Sequence, residues 1–419
     1  MGLVASLLGG IQVVLTPTRQ KRGASEKVPP PKPPTTGRWT RPVIAVAVLA
    51  IYALAFPSAS RGKIEDIEAT SIPAWHFVET GSWDLSTQER GNLWFVETDR
   101  GLRSNRTPGL IASATFGYAL TAPFTDGFED WPGTAVAVVT AWLAVLVVAA
   151  TADRLKKGLW LPAVVLFGLG TATWSVSSGQ LWPHAPVQLT IAIAVYYLAR
   201  ERNLTAGLAL GVGVIMRPAV ILFGFGLAVI KGVQERSWRP VLTIGGPSAL
   251  AALVFVAYNQ VLFGSWSPLA GYDAVGGLWY EEGLVGSIGN IGTAFFGRYN
   301  GVLLWSAWIP VCFVLFLMKP KSGPAWMRYT PLLAVAFIVV HSTMEVASGG
   351  LTYNYRYPLE AVTLAAPALL LALPLRLEGW ARSALVVTGA FAVFLNGALV
   401  FFSACGPNQL GDFTCRIFG

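Results

Sequence analysis

Eleven apolar stretches separated by short charged gaps constrain what this chain can fold into, because an apolar run of about 20 residues crosses a bilayer as a helix. The chain of 419 residues is 54% hydrophobic and 12% charged, about half the charged share of a soluble domain. The stretches span residues 43–58, 133–152, 159–177, 185–199, 204–216, 219–230, 240–262, 300–318, 329–346, 358–375 and 384–403. They predict an all-α polytopic membrane protein with a bundle of about eleven transmembrane helices, rather than a set of soluble domains.

The gaps between the stretches differ in charge in a way that predicts orientation. Basic residues concentrate in alternate gaps, at 153–157, 200–202, 231–239, 319–328 and 376–382. The gaps 178–184, 263–299, 347–357 and 404–419 hold just Arg298, Arg356 and Arg416 as basic residues. Since basic residues stay in the cytoplasm, the N-terminus is predicted inside and the C-terminus outside. The formal charge of +8 therefore indicates topology and not nucleic-acid binding.

One segment leaves an alternative open. Residues 204–230 read either as two short helices broken at Arg217-Pro218 or as one kinked helix, since proline removes a helix hydrogen bond. A single helix would reverse every later orientation. It would also place Lys319, Lys321 and Arg328 outside, against the charge pattern.

Three regions follow from this division. Residues 1–42, rich in proline and basic residues after a short apolar segment, predict a disordered cytoplasmic tail. Residues 43–403 form the transmembrane domain, whose first extracytoplasmic loop covers 59–132. Residues 404–419 form an extracytoplasmic tail, where Cys405 and Cys415 are either disulfide-bonded or two free thiols.

The first loop carries signals of its own. Residues 64–80 alternate apolar and acidic side chains and predict an amphipathic helix along the membrane surface. Residues 92–104 predict a short hairpin with its turn at Thr-Asp-Arg-Gly. The apolar segment 109–123, bounded by prolines, predicts a re-entrant or interfacial helix.

Polar side chains accumulate on the predicted outer side of the membrane, where ionisable residues are costly and therefore mark functional sites. The acids are Glu65, Asp66 and Glu68, and the other candidates are Arg106, His184, Arg217, Tyr272, Arg298, Tyr355 and Arg356. A solvated loop, lipid-headgroup contacts and interfacial packing are the alternatives for these groups. Glu65 and Glu68 share a face of a helix, whereas Asp66 and Glu68 share a face of an extended chain, so the identity of a catalytic acid stays open. The three histidines are scattered in sequence, which makes a histidine metal cluster unlikely.

The order of these motifs resembles the bacterial multi-pass glycosyltransferases of the GT-C superfamily, which include protein O-mannosyltransferases, aminoarabinose transferases and arabinofuranosyltransferases. The resemblance covers about residues 43–403. It rests on the acids after the first span followed by Gly101–Gly109, Ser178–Ala185, Met216–Pro218, Tyr258–Ser265 and Gly349–Tyr357.

The resemblance implies a sugar donor linked to polyprenyl phosphate and an envelope glycan, lipid or protein as acceptor, at the outer face of a bacterial plasma (inner) membrane. Asp66-Ile67-Glu68 matches the family's acidic motif, with Asp66 as the general base. Arg217 and Arg356, then Arg298, would stabilise the leaving lipid phosphate. No cofactor is firmly implied, and a divalent metal held by Asp66 and Glu68 is an option that two carboxylates do not establish.

The alternative function is a flippase or transporter of lipid-linked sugars, which would hold phosphate with the same arginines; the short cytoplasmic gaps count against it.

Overall fold

The computed structural model describes residues 40–54, 65–88, 91–275, 283–319, 322–343, 354–373 and 379–402. These residues form a helical bundle with one small hairpin. The helices are α1 Thr40–Ala53, α2 Glu65–Thr80, α3 Pro108–Thr121, α4 Trp131–Leu155, α5 Trp160–Ala163, α6 His184–Leu198, α7 Asn203–Met216, α8 Ile221–Glu235, α9 Gly246–Phe263, α10 Ala270–Asp273, α11 Gly283–Phe296, α12 Val302–Trp305, α13 Trp308–Met318, α14 Thr330–His341, α15 Leu359–Leu371 and α16 Gly379–Phe402, and the strands are β1 Phe95–Thr98 and β2 Gly101–Ser104. Most of the predicted tail 1–42, and the C-terminal tail with Cys405 and Cys415, lie outside the described residues.

Each predicted apolar stretch overlaps helical structure, and the all-α class is confirmed. Four helices of the described residues are long and apolar enough to cross a membrane: Trp131–Leu155, Pro218–Glu235, Val241–Phe263 and Gly379–Phe401. Seven further apolar helices have 10–17 residues: Thr40–Ala53, Trp160–Leu169, His184–Leu198, Asn203–Met216, Trp308–Met318, Trp326–His341 and Leu359–Leu371. The hydropathy pattern therefore located the helices more reliably than their lengths.

The structure decides between the two alternatives for residues 204–230. Helix α7 ends at Met216, and Arg217 has an extended backbone with φ −155° and ψ 105°. A 3-10 turn at Pro218–Val220 then leads into α8, which packs against α7. The segment is therefore two helices, as the charge pattern of the gaps favoured.

Three predicted spans are irregular, and one of them, 240–262, begins with π-helical turns at Val241–Gly245 that lead into α9. After α5 the chain continues as π-helical turns at Val164–Leu169 and Thr173–Ser177. The span predicted at 300–318 divides into α12 and α13 at Ser306. These irregularities were not predicted, because hydropathy does not report backbone hydrogen bonding. Buried side chains can bond the backbone groups that an irregular helix leaves unpaired: the Trp308 indole donates to the Gly170 carbonyl at 2.9 Å.

Helix α15 lies at the centre of the bundle and packs against α4, α6, α13 and α14. All of its residues from Leu359 to Leu371 are buried, as expected for a helix that is apolar on every side. Glu360, in its first turn, is therefore a carboxylate inside the bundle.

The first loop folds onto the bundle. The predicted hairpin is confirmed, with β1 and β2 antiparallel and Thr98 opposite Gly101. Helix α3 occupies the predicted apolar segment and packs against α2, α4 and α7. Helix α2 forms as predicted, but residues 67–74 are all buried. Helix α3 packs against α2, so protein surrounds these residues, and the position of α2 relative to the membrane surface stays a prediction.

Salt bridges join segments that are predicted to be cytoplasmic. Arg41 donates to Asp153 at 3.1 Å, which joins the start of α1 to the end of α4. Lys231 of α8 pairs with Glu201, between α6 and α7, at 2.6 Å. The candidate polar residues described next lie at the opposite ends of these helices.

Candidate active site

The carboxylate of Asp66 is held between two arginines. Asp66 lies in the first turn of α2, where the helix dipole favours a negative charge. One of its oxygens forms a salt bridge with Arg106, and the other accepts from Arg356 Nη1 at 3.0 Å. The Asp66 side chain is 22% exposed, whereas each arginine side chain is 10% exposed. The acid is thus the accessible member of this triad.

The loop that carries Arg106 is fixed on both sides. The Ser104 hydroxyl donates to the Ala69 carbonyl of α2 at 2.5 Å, and the Thr107 hydroxyl donates to the Met216 carbonyl at the end of α7 at 2.6 Å. The Arg106 guanidinium also lies over the Trp94 ring, 4.5 Å from its centroid. Arg106 is therefore held in position by the loop as well as by its ion pair.

Arg356 lies three residues before α15 and is sandwiched by aromatic rings. Its guanidinium carbon is 4.1 Å from the centroid of the Trp182 ring and 5.2 Å from that of Tyr357. A guanidinium on an aromatic face is attracted by the ring quadrupole, most strongly where water is excluded. Arg356 therefore stays buried while one of its nitrogens reaches Asp66.

A second carboxylate, Glu360, lies deeper. Its side chain is fully buried, and one oxygen is 2.7 Å from His184 Nδ1 and 3.1 Å from Arg217 Nη1. Arg217 Nη1 lies against the same ring, 2.9 Å from His184 Nδ1 and 3.3 Å from His184 Nε2. In the tautomer in which Nδ1 donates to Glu360, Nε2 is the ring nitrogen with a free lone pair and is the acceptor for Arg217. The second Arg217 nitrogen donates to His341 Nε2 at 3.0 Å. Arg217 is thus surrounded by one carboxylate and two imidazoles.

The Tyr357 ring joins the two carboxylate centres. Arg217 and Arg356 lie over it at 4.9 Å and 5.2 Å, and the His184 and His341 rings are 6.0 Å and 5.6 Å from it. We call the whole group the arginine cluster: Asp66, Arg106, His184, Arg217, His341, Arg356, Tyr357 and Glu360. Its members come from the starts of α6 and α15 and from the ends of α7 and α14, so the cluster lies at one end of the bundle.

Five of the candidate residues from sequence meet in this cluster, and the other five lie apart from its core. Glu65 is exposed, and its carbonyl accepts from Asn92 at 2.9 Å. Glu68 is buried within α2, and Tyr272 is half-buried in α10. Arg298 is exposed and lies 5.5 Å from the Tyr299 ring. Tyr355 is in the core, with its hydroxyl 2.5 Å from the Ser306 hydroxyl.

Sequence reasoning missed Glu360, His341 and Tyr357. Glu360 offered a signal, because an acid within an apolar stretch needs a partner inside the protein. His184 and His341 are 157 positions apart in number but contact the same guanidinium. They come together because α6, which carries His184, and α14, which carries His341, both pack against α15.

The charges around Asp66 determine its protonation. Burial alone would raise the pKa of Asp66, but the positive charges of Arg106 and then Arg356 outweigh burial and hold the pKa below its ordinary value. Asp66 is therefore ionised at neutral pH.

The cluster does not fit a divalent cation. Both Asp66 oxygens are already engaged by guanidinium groups, which compete with a metal for the same lone pairs and repel it. Within the described ranges, His, Cys, Asp and Glu side chains form no group of three or more placed to hold a metal ion.

These features define a class: a helical membrane protein with a buried, aromatic-lined cluster of arginines and carboxylates at one end of its bundle. No family model matches the chain, and no curated protein matches it. A search of solved structures finds a likeness to ArnT from Cupriavidus metallidurans bound to undecaprenyl phosphate, with 16% sequence identity and a TM-score of 0.47. The likeness covers 80% of this chain and 60% of the ArnT chain. It concerns the fold, and this chain spans less than two thirds of the ArnT chain.

Proposed function

We propose that this protein is a membrane glycosyltransferase that moves a sugar from a polyprenyl-phosphate donor to an acceptor hydroxyl of an envelope glycan, lipid or protein. The observation that carries the proposal is the arginine cluster. A single accessible carboxylate faces two arginines there, and a third arginine is held close by. Arginines suit phosphate because their planar donors bind its oxygens bidentately.

The charge balance of the cluster supports a phosphodiester substrate. Three arginines face two carboxylates, and the histidines that accept hydrogen bonds from Arg217 are neutral, so the cluster has one excess positive charge. A polyprenyl-phosphate sugar carries one negative charge at its phosphodiester. Binding of the donor therefore neutralises the buried site, which avoids the cost of an unpaired charge in a low-dielectric region.

Charge stays balanced through the reaction. Asp66 removes the proton of the acceptor hydroxyl as that oxygen bonds to the anomeric carbon of the sugar. The bond between the anomeric carbon and the phosphate oxygen breaks, and its electron pair remains on the phosphate. The phosphate gains one negative charge and Asp66 loses one, so the total does not change.

The contact between Arg356 and Asp66 implies an order in which the donor and the acceptor bind. Asp66 between two arginines is a weak base, since its lone pairs are engaged and its pKa is lowered. A donor phosphate competes with Asp66 for Arg356 and Arg217. When Arg356 turns to the phosphate, one Asp66 oxygen is released for the acceptor. The donor therefore binds first and activates the base.

The test is to incubate purified protein with a panel of polyprenyl-phosphate hexoses and pentoses and measure the release of free lipid phosphate, with and without candidate acceptors. We expect release that depends on an acceptor and on Asp66. Transbilayer movement of a lipid-linked sugar in proteoliposomes, without any release, would instead support the flippase.

We further propose that the cluster lies at the outer face of the membrane, with the N-terminus cytoplasmic. Reporter fusions after Lys321 and after Gly419 should report opposite sides of the membrane, because the charged gaps alternate. The same side for both fusions would contradict the topology with eleven spans.

A further inference from the structure

Asn354 lies two residues before Arg356, in the bend that leads into α15. It is fully buried, and its φ of 70° places the backbone in the left-handed region. That region is costly for most residues other than glycine, and asparagine is one of the few that tolerate it. After the bend, Tyr355 lies in the core and Arg356 reaches the Asp66 carboxylate. The bend at Asn354 therefore sets the path of the chain into the arginine cluster.

The Asn354 amide ties this bend to two distant segments. Its Nδ2 donates to Asn396 Oδ1 of α16 at 2.7 Å and to the Ser175 hydroxyl, in a π-helical turn, at 2.8 Å. Its Oδ1 accepts from the N–H of Tyr355 at 2.8 Å, and its own N–H donates to the Tyr299 carbonyl at 2.7 Å. Every hydrogen-bond donor of Asn354 is thus engaged, and so is its side-chain oxygen.

The partners of the amide are fixed in their turn. Asn396 Nδ2 donates to the Trp305 carbonyl at 3.1 Å and to the Ala392 carbonyl at 2.8 Å. The Ser175 hydroxyl donates to Asn396 Oδ1 at 2.6 Å. A buried polar network whose members are all bonded makes its surroundings rigid. The bend is therefore anchored in the core of the bundle, outside the arginine cluster itself.

Arg356 needs such an anchor, because its aromatic neighbours do not fix it completely. Trp182 and Tyr357 lie over its guanidinium at 4.1 Å and 5.2 Å. A ring face attracts a guanidinium over a range of several ångströms. The 3.0 Å hydrogen bond from Arg356 to Asp66 depends much more steeply on distance and angle. Part of the position of Arg356 is thus left to its backbone.

We propose that Asn354 is a positioning residue for the transfer reaction, which holds the bend so that Arg356 reaches Asp66 in the free protein and the donor phosphate once it binds. The inference rests on the proposed function, and Asn354 acts through Arg356 without touching a substrate. The charged and titratable groups that act on Asp66 are Arg106 after β2, Arg356, and His184 of α6. Among these, Arg356 is the one that the bend carries.

The test is Asn354→Gly, which keeps the left-handed backbone accessible and removes the amide. Titration of ¹³C-labelled aspartate carboxyls by NMR in detergent micelles measures the pKa of Asp66, whose signal is assigned by its loss in Asp66→Asn. A weaker contact with Arg356 should let this pKa rise toward its ordinary value, in the same direction as in Arg356→Gln. Transfer should fall about 10- to 100-fold in kcat/KM, because a misplacement of about 1 Å can cost about 10²-fold.

Two comparisons separate positioning from loss of stability. The double variant Asn354→Gly with Arg356→Gln should show the same pKa of Asp66 as Arg356→Gln alone, because no guanidinium is left to misplace. Asn259→Ala is the matched control, since the buried Asn259 amide donates to the Ser267 carbonyl at 2.8 Å, a contact that includes neither the bend nor the cluster. That variant should lower the Tm, as Asn354→Gly does, and leave the pKa of Asp66 unchanged.

A folded Asn354→Gly variant with the wild-type pKa of Asp66, or with full transfer, would overturn the inference while leaving the proposed function intact. An equal rise of the pKa in Asn259→Ala would overturn it as well, because general loosening would then suffice. If Asn354→Gly does not fold, Ser175→Ala takes its place with the same expected direction, since it removes one acceptor of the amide. Failure of the wild type to release lipid phosphate from any donor would instead refute the proposed function, and the titration, which needs no turnover, would still decide whether Asn354 positions Arg356.

Discussion

Asp66 and Glu360 are two carboxylates of one cluster with opposite surroundings. Asp66 is 22% exposed, lies in the first loop and meets two arginines. Glu360 is fully buried in the central helix and meets one arginine and a histidine. The difference separates their tasks: a substrate can reach Asp66, whereas Glu360 can act only through the groups that it holds. We therefore regard Glu360 as a positioning residue for Arg217.

The comparison predicts the largest effect for Asp66→Asn, which keeps the shape of the side chain but removes its basic oxygen. Loss of a general base typically costs 10²–10⁴-fold in rate, so turnover should collapse while donor binding survives. Measurements of kcat and of donor affinity check this. Glu65→Gln is the control, because Glu65 is exposed in the same helical turn. Normal turnover of Asp66→Asn together with loss in Glu65→Gln or Glu68→Gln would move the base within the acidic motif.

Glu360→Gln should have the next largest effect, of a different kind. It leaves Arg217 without its carboxylate, and breaking a buried ion pair typically costs about 3–5 kcal/mol. We expect a lower Tm, and a KM for the donor that rises more than kcat falls. Arg217→Ala should weaken both donor binding and turnover, because it removes the charge itself. An unchanged donor KM in Glu360→Gln would show that Glu360 does not position Arg217 for the phosphate.

The pH profile should show the smallest effect of the three. A lowered pKa keeps Asp66 ionised, and its ion pairs stabilising, until the pH falls through that pKa, so the acid limb of kcat/KM should lie below the ordinary aspartate value of about 3.9. Arg106→Gln removes one of the two positive charges that lower the pKa of Asp66, so it should move this limb to higher pH. Arg103→Gln is the control, because Arg103 donates to the Arg100 carbonyl. An identical limb in all three proteins would mean that Asp66 does not govern it.

The bundle and five of the eight residues of the arginine cluster could be predicted from the sequence, for a physical reason. Apolar periodicity and charge asymmetry are properties of each segment alone, so they located the helices and the side on which Asp66, His184 and Arg217 meet. The pairing of Glu360 with Arg217 depends on how α15 is inserted among its neighbours, which no single segment encodes. Tyr355 and Arg356 illustrate the limit: adjacent in sequence, they point to the core and to the cluster respectively.

The same distinction applies to the backbone. Arg217-Pro218 indicated a break or a kink at the end of α7, because proline and a charge interrupt an apolar helix locally, and the charge pattern of the gaps favoured the break. The π-helical turns between Val164 and Ser177 contain no proline, and the Gly170 carbonyl between them accepts from Trp308, a residue distant in sequence. Local chemistry thus predicts helix ends better than irregularities inside a helix.

The ion pair between Asp66 and Arg356 joins residues 290 positions apart, which has a consequence for biosynthesis. At about 5–20 residues per second, the ribosome makes Arg356 about 15–60 s after Asp66. Throughout that interval Arg106 is the one of these two ion-pair partners of Asp66 that has already been made. The salt bridge with Arg106 can thus pair the charge of Asp66 during membrane insertion, and the arginine cluster is complete only when the last helices join the bundle.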